Sequence, residues 1–365
     1  MKGKRNYETK YGYFETDGSY FLKTPITPKP WINVISNGLY STMLSQTGGG
    51  FSWYIHSNFN RITRWFQDVI RDDWGKYVYL KDNHNKKFHS LTFQPTRLDP
   101  KFYKIRHSFG YSQFLSVYND LETEMNVFVP LDHSLEIWKI KVKNLTLAKR
   151  DLSLFTYFEW QLGDAPDTHR EFFKTFIETE FEDNTILAFK RMWNLKNKKG
   201  EHFNRPWEYI AYHFSNRTVA SFDTEKENFI GKYGDLKEPR ALTEGGLKRQ
   251  TGKWNDPIGS LMINIILNPG EEQEVVFVLG LDKKRKNISK VKEYFSDRKN
   301  VNKELGRCIR FWSDQFERAS VNTPDDSLNL LVNQWLKYQA ISCRIWGRAA
   351  FYQQSGAYGF RDQLQ

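Results

Sequence analysis

Cysteine is scarce: Cys308 and Cys343 are the only two in 365 residues, too few for a disulfide framework, and no CxxC metal pair exists. A reduced, cytoplasmic setting is the expectation. Long apolar runs are absent too. No stretch reaches the eighteen or more residues a spanning helix needs, so no membrane partner is expected. The start, MKGKRNYETKYGYF, is basic without the apolar core of a secretory signal. The eight histidines all lie at or before His213 and none is paired at metal-ligand spacing, so no metal is expected. His107, in Arg106-His107-Ser108, reads as a hydrogen-bonded strand-end residue. No GxSxG, phosphate loop, dinucleotide fingerprint or HExxH appears, which leaves nucleophilic and nucleotide chemistry without a motif. Gly48-Gly49-Gly50 lacks the Lys-Ser/Thr of a phosphate loop and reads as a turn or a close backbone approach. Acidic residues are fewer than basic ones, 43 against 54, for a net charge of +11. The basic residues are spread along the chain and accompany no nucleic-acid-binding motif, so no nucleic acid is expected; a moderate pull on phosphate is compatible.

What is abundant is aromatic: 28 Phe, 19 Tyr and 12 Trp, 16% of the chain. Rings suit the half-buried pleat of a large β-structure, and they suit sugar binding. Tyr11, Tyr13, Tyr20 and Leu22 alternate around the turn Thr16-Asp17-Gly18, which reads as short strands. Alternation continues through 125–129 and 135–142, and strands are read at 51–55, 77–80, 152–160, 185–189, 211–214, 261–267 and 274–279. So many strands predict a mainly β fold built on a large antiparallel sandwich over 1–283. Leu195–Pro206 and Asp223–Asp256 read as long loops carried on it.

The pattern then turns helical. Val291, Tyr294, Phe295, Leu305, Cys308, Ile309, Trp312 and Phe316 fall at helical spacing and define a helical linker over 284–322. Thr323 reads as the N-cap of a further helix, with Pro324 at its first position and Leu328, Leu331, Val332, Trp335 and Gln339 as its buried stripe. That helix opens an all-helical domain at 323–365 and runs into Ser355-Gly356-Ala357-Tyr358-Gly359-Phe360-Arg361-Asp362. A carboxylate accepting from two hydroxyls beside a forked guanidinium can grip vicinal sugar hydroxyls, so Arg361 and Asp362 are the candidate substrate-binding residues. A buried ion pair at a helix start is the other reading of the same two residues.

Several segments, in order along the chain, resemble the N-terminal region of family 94 glycoside phosphorylases. They are Tyr11–Phe14, Thr27–Asn33, Gln46–Trp53, Asn60–Trp65, Trp74–Asp82, Arg106–Tyr111, Phe128–Leu131 and Gly359–Gln365. The family includes cellobiose, chitobiose, laminaribiose, cellobionic acid and β-1,2-oligoglucan phosphorylases. The resemblance implies a β-sandwich of the supersandwich type, a helical linker and the first part of an (α/α)6 catalytic barrel. It implies an inverting glycosyltransferase reaction in which inorganic phosphate, a co-substrate with no other cofactor, cleaves a β-linked gluco-oligosaccharide to α-glucose 1-phosphate. Arg361 and Asp362 match the pair that grips the glucosyl unit. The general acid and the phosphate-binding groups are implied to follow Gln365, so no catalytic residue is expected within 1–365 and this polypeptide is expected to be inactive alone. A homodimer is implied for the full-length enzyme. Gly356 stands where cellobiose phosphorylases carry an arginine, which places the sequence nearer the β-1,2-glucan branch. The alternative is a non-catalytic carbohydrate-binding or dimer-assembly sandwich. A retaining glycosidase lacks a recognisable carboxylate pair.

Overall fold

The computed structural model describes residues 7–166, 171–192, 196–201 and 206–358. Two antiparallel sheets dominate it. From edge to edge, the first sheet runs Gly12–Phe14, Tyr20–Leu22, Phe102–Ser108, Tyr111–Tyr118, Leu121–Phe128, Leu135–Asn144, Glu272–Asp282, Ile210–Ser215, Thr185–Lys190 and Ile177–Glu182. The second runs Ser221–Glu225, Pro257–Leu267, Arg150–Gly163, Arg61–Thr63, Ser52–Tyr54, Tyr40–Ser45 and Ile32–Ser36. Tyr77–Asp82 pairs with Arg150–Gly163 outside that order and carries Phe88–Ser90.

Period-two alternation explains why the central strands are apolar on both faces. In Glu272–Asp282, Val275, Phe277 and Leu279 enter the core between the sheets, where they join Trp138, Ile140, Leu152, Leu154 and Phe158. Val276 and Val278 point the other way, against Ile288, Phe295, Val301 and Cys308 of the helices Arg285–Ser296 and Arg298–Glu317. Those helices therefore cover the outer face of the first sheet rather than merely connecting two domains. Asp297 caps the second of them by accepting from Lys299 N. Ile309, at helical spacing in the same helix, is 45% exposed.

Two stretches depart from expectation. Asp223–Asp256 is not one long loop: it contributes the end of Ser221–Glu225 and the short helices Lys226–Ile230 and Arg240–Thr243. Phe229, Ile230, Ala241, Leu242 and Leu247 converge on Tyr77, Tyr79, Phe155 and Tyr157, so a sparse sequence still covers a sheet face. Of Leu195–Pro206, residues 195 and 202–205 lie outside the described residues. The terminal helix differs in two ways. Thr323 is not the N-cap, because its N–H and hydroxyl both bond Asn329 Oδ1 at 2.9 Å. Asp325 caps, accepting from Ser327 N and Leu328 N. The run Asp326–Leu330, Leu331–Trp335, Leu336–Tyr338 and Gln339–Gly347 is wound as a π-helix over its second and fourth segments. Leu328 and Leu331 are exposed, and Tyr338 and Ser342 are buried instead.

Between the sheets sits a buried ion pair. Lys76 Nζ lies 2.7 Å from Glu136 Oε1, with side chains 2% and 0% exposed. Lys76 enters from the second sheet's side and Glu136 from the first, so the pair bridges the layers. Lys76 also donates to Thr42 Oγ1 at 2.6 Å and Ser52 Oγ at 2.5 Å, while Glu136 accepts from Ser52 Oγ at 2.6 Å and Trp138 Nε1 at 2.7 Å. Burial pulls the Lys76 ammonium below its ordinary range and Glu136 pulls it back. Lys76→Met, which strands Glu136, is expected to cost about 3–5 kcal/mol in chemical denaturation, and Lys76→Met with Glu136→Leu less than the sum of the single changes. A cost under about 1 kcal/mol for Lys76→Met would refute the tie between the sheets.

Candidate functional site

The last described segment, Gly347–Tyr358, leads toward the candidate pair, and the second sheet clasps it. Trp53 Nε1 donates to Gly347 O at 3.1 Å. Arg348 adopts φ 49°, which ends the helical run, and its guanidinium donates to Ile55 O. Ser57 Oγ lies 3.0 Å from Gln354 O and 3.4 Å from Arg348 O. Beneath these bonds, Phe351 meets Trp65 edge-on at 5.4 Å, and Trp65 stacks on Phe51 at 5.0 Å. Arg61 lies over Phe51 at 4.4 Å and spends its N–H groups on Ser57 O and Trp65 O, at 2.7 and 3.0 Å. Val34, Met43, Trp53 and Ala349 complete this core. Segments quoted for the family resemblance, Gln46–Trp53 and Asn60–Trp65, thus meet in space as the seat of the terminal segment.

Arg361 and Asp362 themselves lie outside the described residues. The described chain ends at Tyr358, whose ring carries the Arg348 guanidinium at 4.9 Å. Across the segment, His56 presses its imidazole against Gly356 (φ 70°). Neither His56 nor Ser57 was signalled by the sequence, since a single His or Ser between strands carries no spacing to read.

The Gly48-Gly49-Gly50 turn packs behind this seat. A Cβ on Gly50 would stand 1.8 Å from Met43 O, so the close backbone approach is real. Asp72 closes the turn, its Oδ2 accepting from Ser45 Oγ and Thr47 Oγ1, each at 2.6 Å, while Oδ1 has no hydrogen-bond partner among the described residues. Burial lifts the Asp72 carboxyl to about 6 against the pull of those two hydroxyls. Farther along, a cleft of about 270 Å³ is lined by Arg64, Trp74, Glu159 and Lys226, among others. Its charges are paired: Arg64 with the exposed Glu171 at 2.7 Å and Lys226 with the buried Glu159 at 2.6 Å. The Lys226–Glu159 pair tethers the 226–256 excursion to the sheet.

His107 bonds Ser112 Oγ and Trp31 O, as a strand-end residue should. Burial holds His89, His107 and His213 neutral, at about 3, 4 and 3, so none of these three is an acid–base catalyst near neutral pH. Among the described residues, no group of three or more His, Cys, Asp or Glu side chains is placed to hold a metal, and no helix is long and apolar enough to cross a membrane.

Residues 18–298 match the profile described as "Glycosyl hydrolase 94, supersandwich domain", and residues 311–365 match "Glycosyl hydrolase 94 superfamily, catalytic domain". The chain is similar to an N,N'-diacetylchitobiose phosphorylase of Vibrio proteolyticus, 28% identical over 98% of this chain and 44% of that protein. It is also similar to a cyclic beta-(1,2)-glucan synthase of Rhizobium meliloti (strain 1021), 30% identical over 100% of this chain and 12% of that protein. The chain therefore spans less than half the length of these relatives. A solved bacterial glucoamylase complexed with acarbose shares the fold, with a TM-score of 0.54 at 11% identity over 88% of this chain and 42% of that one. A putative kojibiose phosphorylase from human microbiome gives 0.51 at 9% identity over 92% of this chain and 43% of that one.

Asp72 gives a pH dependence with a definite sign. Its folded pKa of about 6 lies above the ordinary 3.8, so the folded state binds the proton more tightly. Ionisation is then a penalty, present above pH 6 and relieved as pH falls from 6 to 4. Asp72→Asn is expected to remove that slope and to stabilise the chain at pH 7.5 by on the order of 2 kcal/mol. Denaturant titrations at pH 4.5 and 7.5 check it; an unchanged pH slope in Asp72→Asn would mean the carboxyl is not strained by burial.

Proposed function

This chain belongs to the glycosyl hydrolase 94 family, and we propose that it is the N-terminal part of an inverting β-glucoside phosphorylase. The supporting observation is that both family profiles match in order, and that the sandwich clasps the segment running to Arg361 and Asp362. In this reading Arg361 donates to, and Asp362 accepts from, hydroxyls of the non-reducing glucosyl unit, fixing the ring for in-line attack. A phosphate oxygen forms the new bond to the anomeric carbon from the face opposite the leaving group. The bond to the acceptor oxygen breaks, and a carboxylic acid supplied from after Gln365 protonates that oxygen. Inversion of a β-linkage releases α-glucose 1-phosphate. Phosphate takes the place of the activated water of an inverting hydrolase, so one acid suffices.

What residues 1–365 contribute is placement. The sandwich buries the rings that anchor Phe351, and Trp53, Ser57 and Ile55 hold the backbone of the approach. A net charge of +11 favours approach of the phosphate dianion. A β-linked oligosaccharide as substrate, inorganic phosphate as the only co-substrate, homodimer assembly and a cytoplasmic setting belong to the same proposal.

Two outcomes test it. The 365-residue polypeptide, given phosphate and β-linked glucodisaccharides, is expected to release no glucose 1-phosphate; turnover at ordinary enzymatic rates would put the acid within this chain. In the full-length protein, Asp362→Ala is expected to lower kcat/KM by at least about a thousandfold with the melting temperature preserved, since an unmatched hydroxyl contact is lost at the reacting ring. Near-normal kcat/KM in that variant refutes the gripping role.

A further inference from the structure

The cleft beside the 226–256 excursion draws Arg64 and Trp74 from two of the segments quoted above, and the phosphorylase reading leaves both without a role. Arg64 and Glu159 line this cleft at 9% and 6% exposure. Of the Arg64 N–H groups, only Nη2 finds an acceptor among the described residues, Glu171 at 2.7 Å. Glu159 spends Oε1 on Lys226 Nζ at 2.6 Å and on the Tyr157 hydroxyl at 2.9 Å. Its Oε2 accepts no hydrogen bond among the described residues and stands 3.8 Å from Arg64 Nε, beyond bonding reach. A buried guanidinium and a buried carboxylate oxygen thus stand together without bonding each other.

The rest of the lining decides the class of ligand. Arg71, Arg97 and Lys237 add positive charge, and Asp68, Asp73 and Asp235 add negative charge, which makes five basic groups against four acidic ones. An anion entering here meets four carboxylates, and a cation meets five basic groups, so neither gains much. Neutral hydroxyls can use both kinds, since one hydroxyl donates to a carboxylate oxygen while accepting from a guanidinium N–H. Apolar surface comes from the half-buried Trp74, from Pro95, and from Ile230 and Leu236 of the excursion. At about 270 Å³ the cleft suits a small ligand with hydroxyls at its edge and C–H groups on its faces, which is a pyranose.

We propose that this cleft is a sugar-binding site of the sandwich, taking a neutral pyranoside whose hydroxyls bridge Arg64 and Glu159 and whose ring lies against Trp74. It rests on the cleft's own chemistry, so it and the phosphorylase reading can fail separately. The test titrates the 365-residue chain calorimetrically with glucose, a β-1,2-linked and a β-1,4-linked glucodisaccharide, and inorganic phosphate as the ionic control. At least one sugar is expected to bind saturably, and phosphate is expected not to displace it. Trp74→Ala is expected to weaken its Kd about fivefold or more, and Trp74→Phe, which keeps a ring, to recover most of that loss. Hydrogen exchange on the wild-type chain decides the matter even if Trp74→Ala fails to fold: saturating sugar is expected to slow amide exchange within 226–237. No sugar binding, a Kd unchanged in Trp74→Ala, or exchange there that responds to phosphate and not to sugar overturns the site. Glucose 1-phosphate release by the full-length protein bears on the phosphorylase reading alone.

Discussion

One phenol governs how the helical and β parts of this chain meet. Tyr338 is 1% exposed, and a hydroxyl so buried must find partners or cost on the order of 1–3 kcal/mol. It lies 2.9 Å from Asn33 Oδ1 and 3.0 Å from Val34 O, and accepts from Gly110 N at 3.2 Å. Asn33 spends its own amide on Ser108 O and Tyr111 O, across the gap between the sheets. Phe109 and Trp312 close around the ring edge-on, at 5.4 and 4.6 Å. Sheet one, sheet two, the Arg298–Glu317 helix and the terminal run all meet at this side chain. Shifting the run by a residue would withdraw the hydroxyl from all three contacts and carry Gly347 O away from Trp53. The path of 348–358 is thus set some ten residues upstream.

The same economy operates between the sheets. An ion pair as buried as Lys76–Glu136 gains little net stability over a well-packed apolar pair, because both charges lose their water. Its value is directional. Thr42, Ser52 and Trp138 can satisfy the pair in one register only, whereas the surrounding Leu, Ile and Val side chains pack almost as well after a slip. Large sheets of mostly apolar strands need such a marker, and here the marker lies close to the strand that bears Trp53.

The β architecture was legible in the sequence because alternation and turn residues are local signals. Tyr13 and Tyr20 around an Asp-Gly turn, or Val275 through Leu279 beside a Pro-Gly turn, state their pairing within a dozen residues. The helical end was less legible. A stripe at 3.6-residue spacing selects Leu328 and Leu331, but π-winding over Leu331–Trp335 and Gln339–Gly347 changes the period, and the sandwich takes Tyr338 and Ser342 instead. The seat of the terminal segment was legible only as a set of quoted motifs. That Trp53, Ser57 and Trp65 close on residues some 290 positions away is long-range information, which no periodicity carries.

Strain is concentrated where the two parts touch. Ile55 holds φ 63° and Arg348 φ 49°, conformations unfavourable for side chains of their kind, the β-branched Ile most of all. They face each other through the Arg348–Ile55 bond, with Gly356 and His56 alongside. A chain would relax such torsions if the surroundings allowed it. They persist because Trp65, Phe51 and Phe351 form a rigid floor and because Ser57 and Trp53 hold the backbone above it. Sugar recognition demands that hydroxyl partners stay within about 0.5 Å of their places, and a loop alone cannot supply that. A β platform that over-determines a short, strained approach can hold backbone that closely, which gives a physical reason for the helical domain to begin against the sandwich.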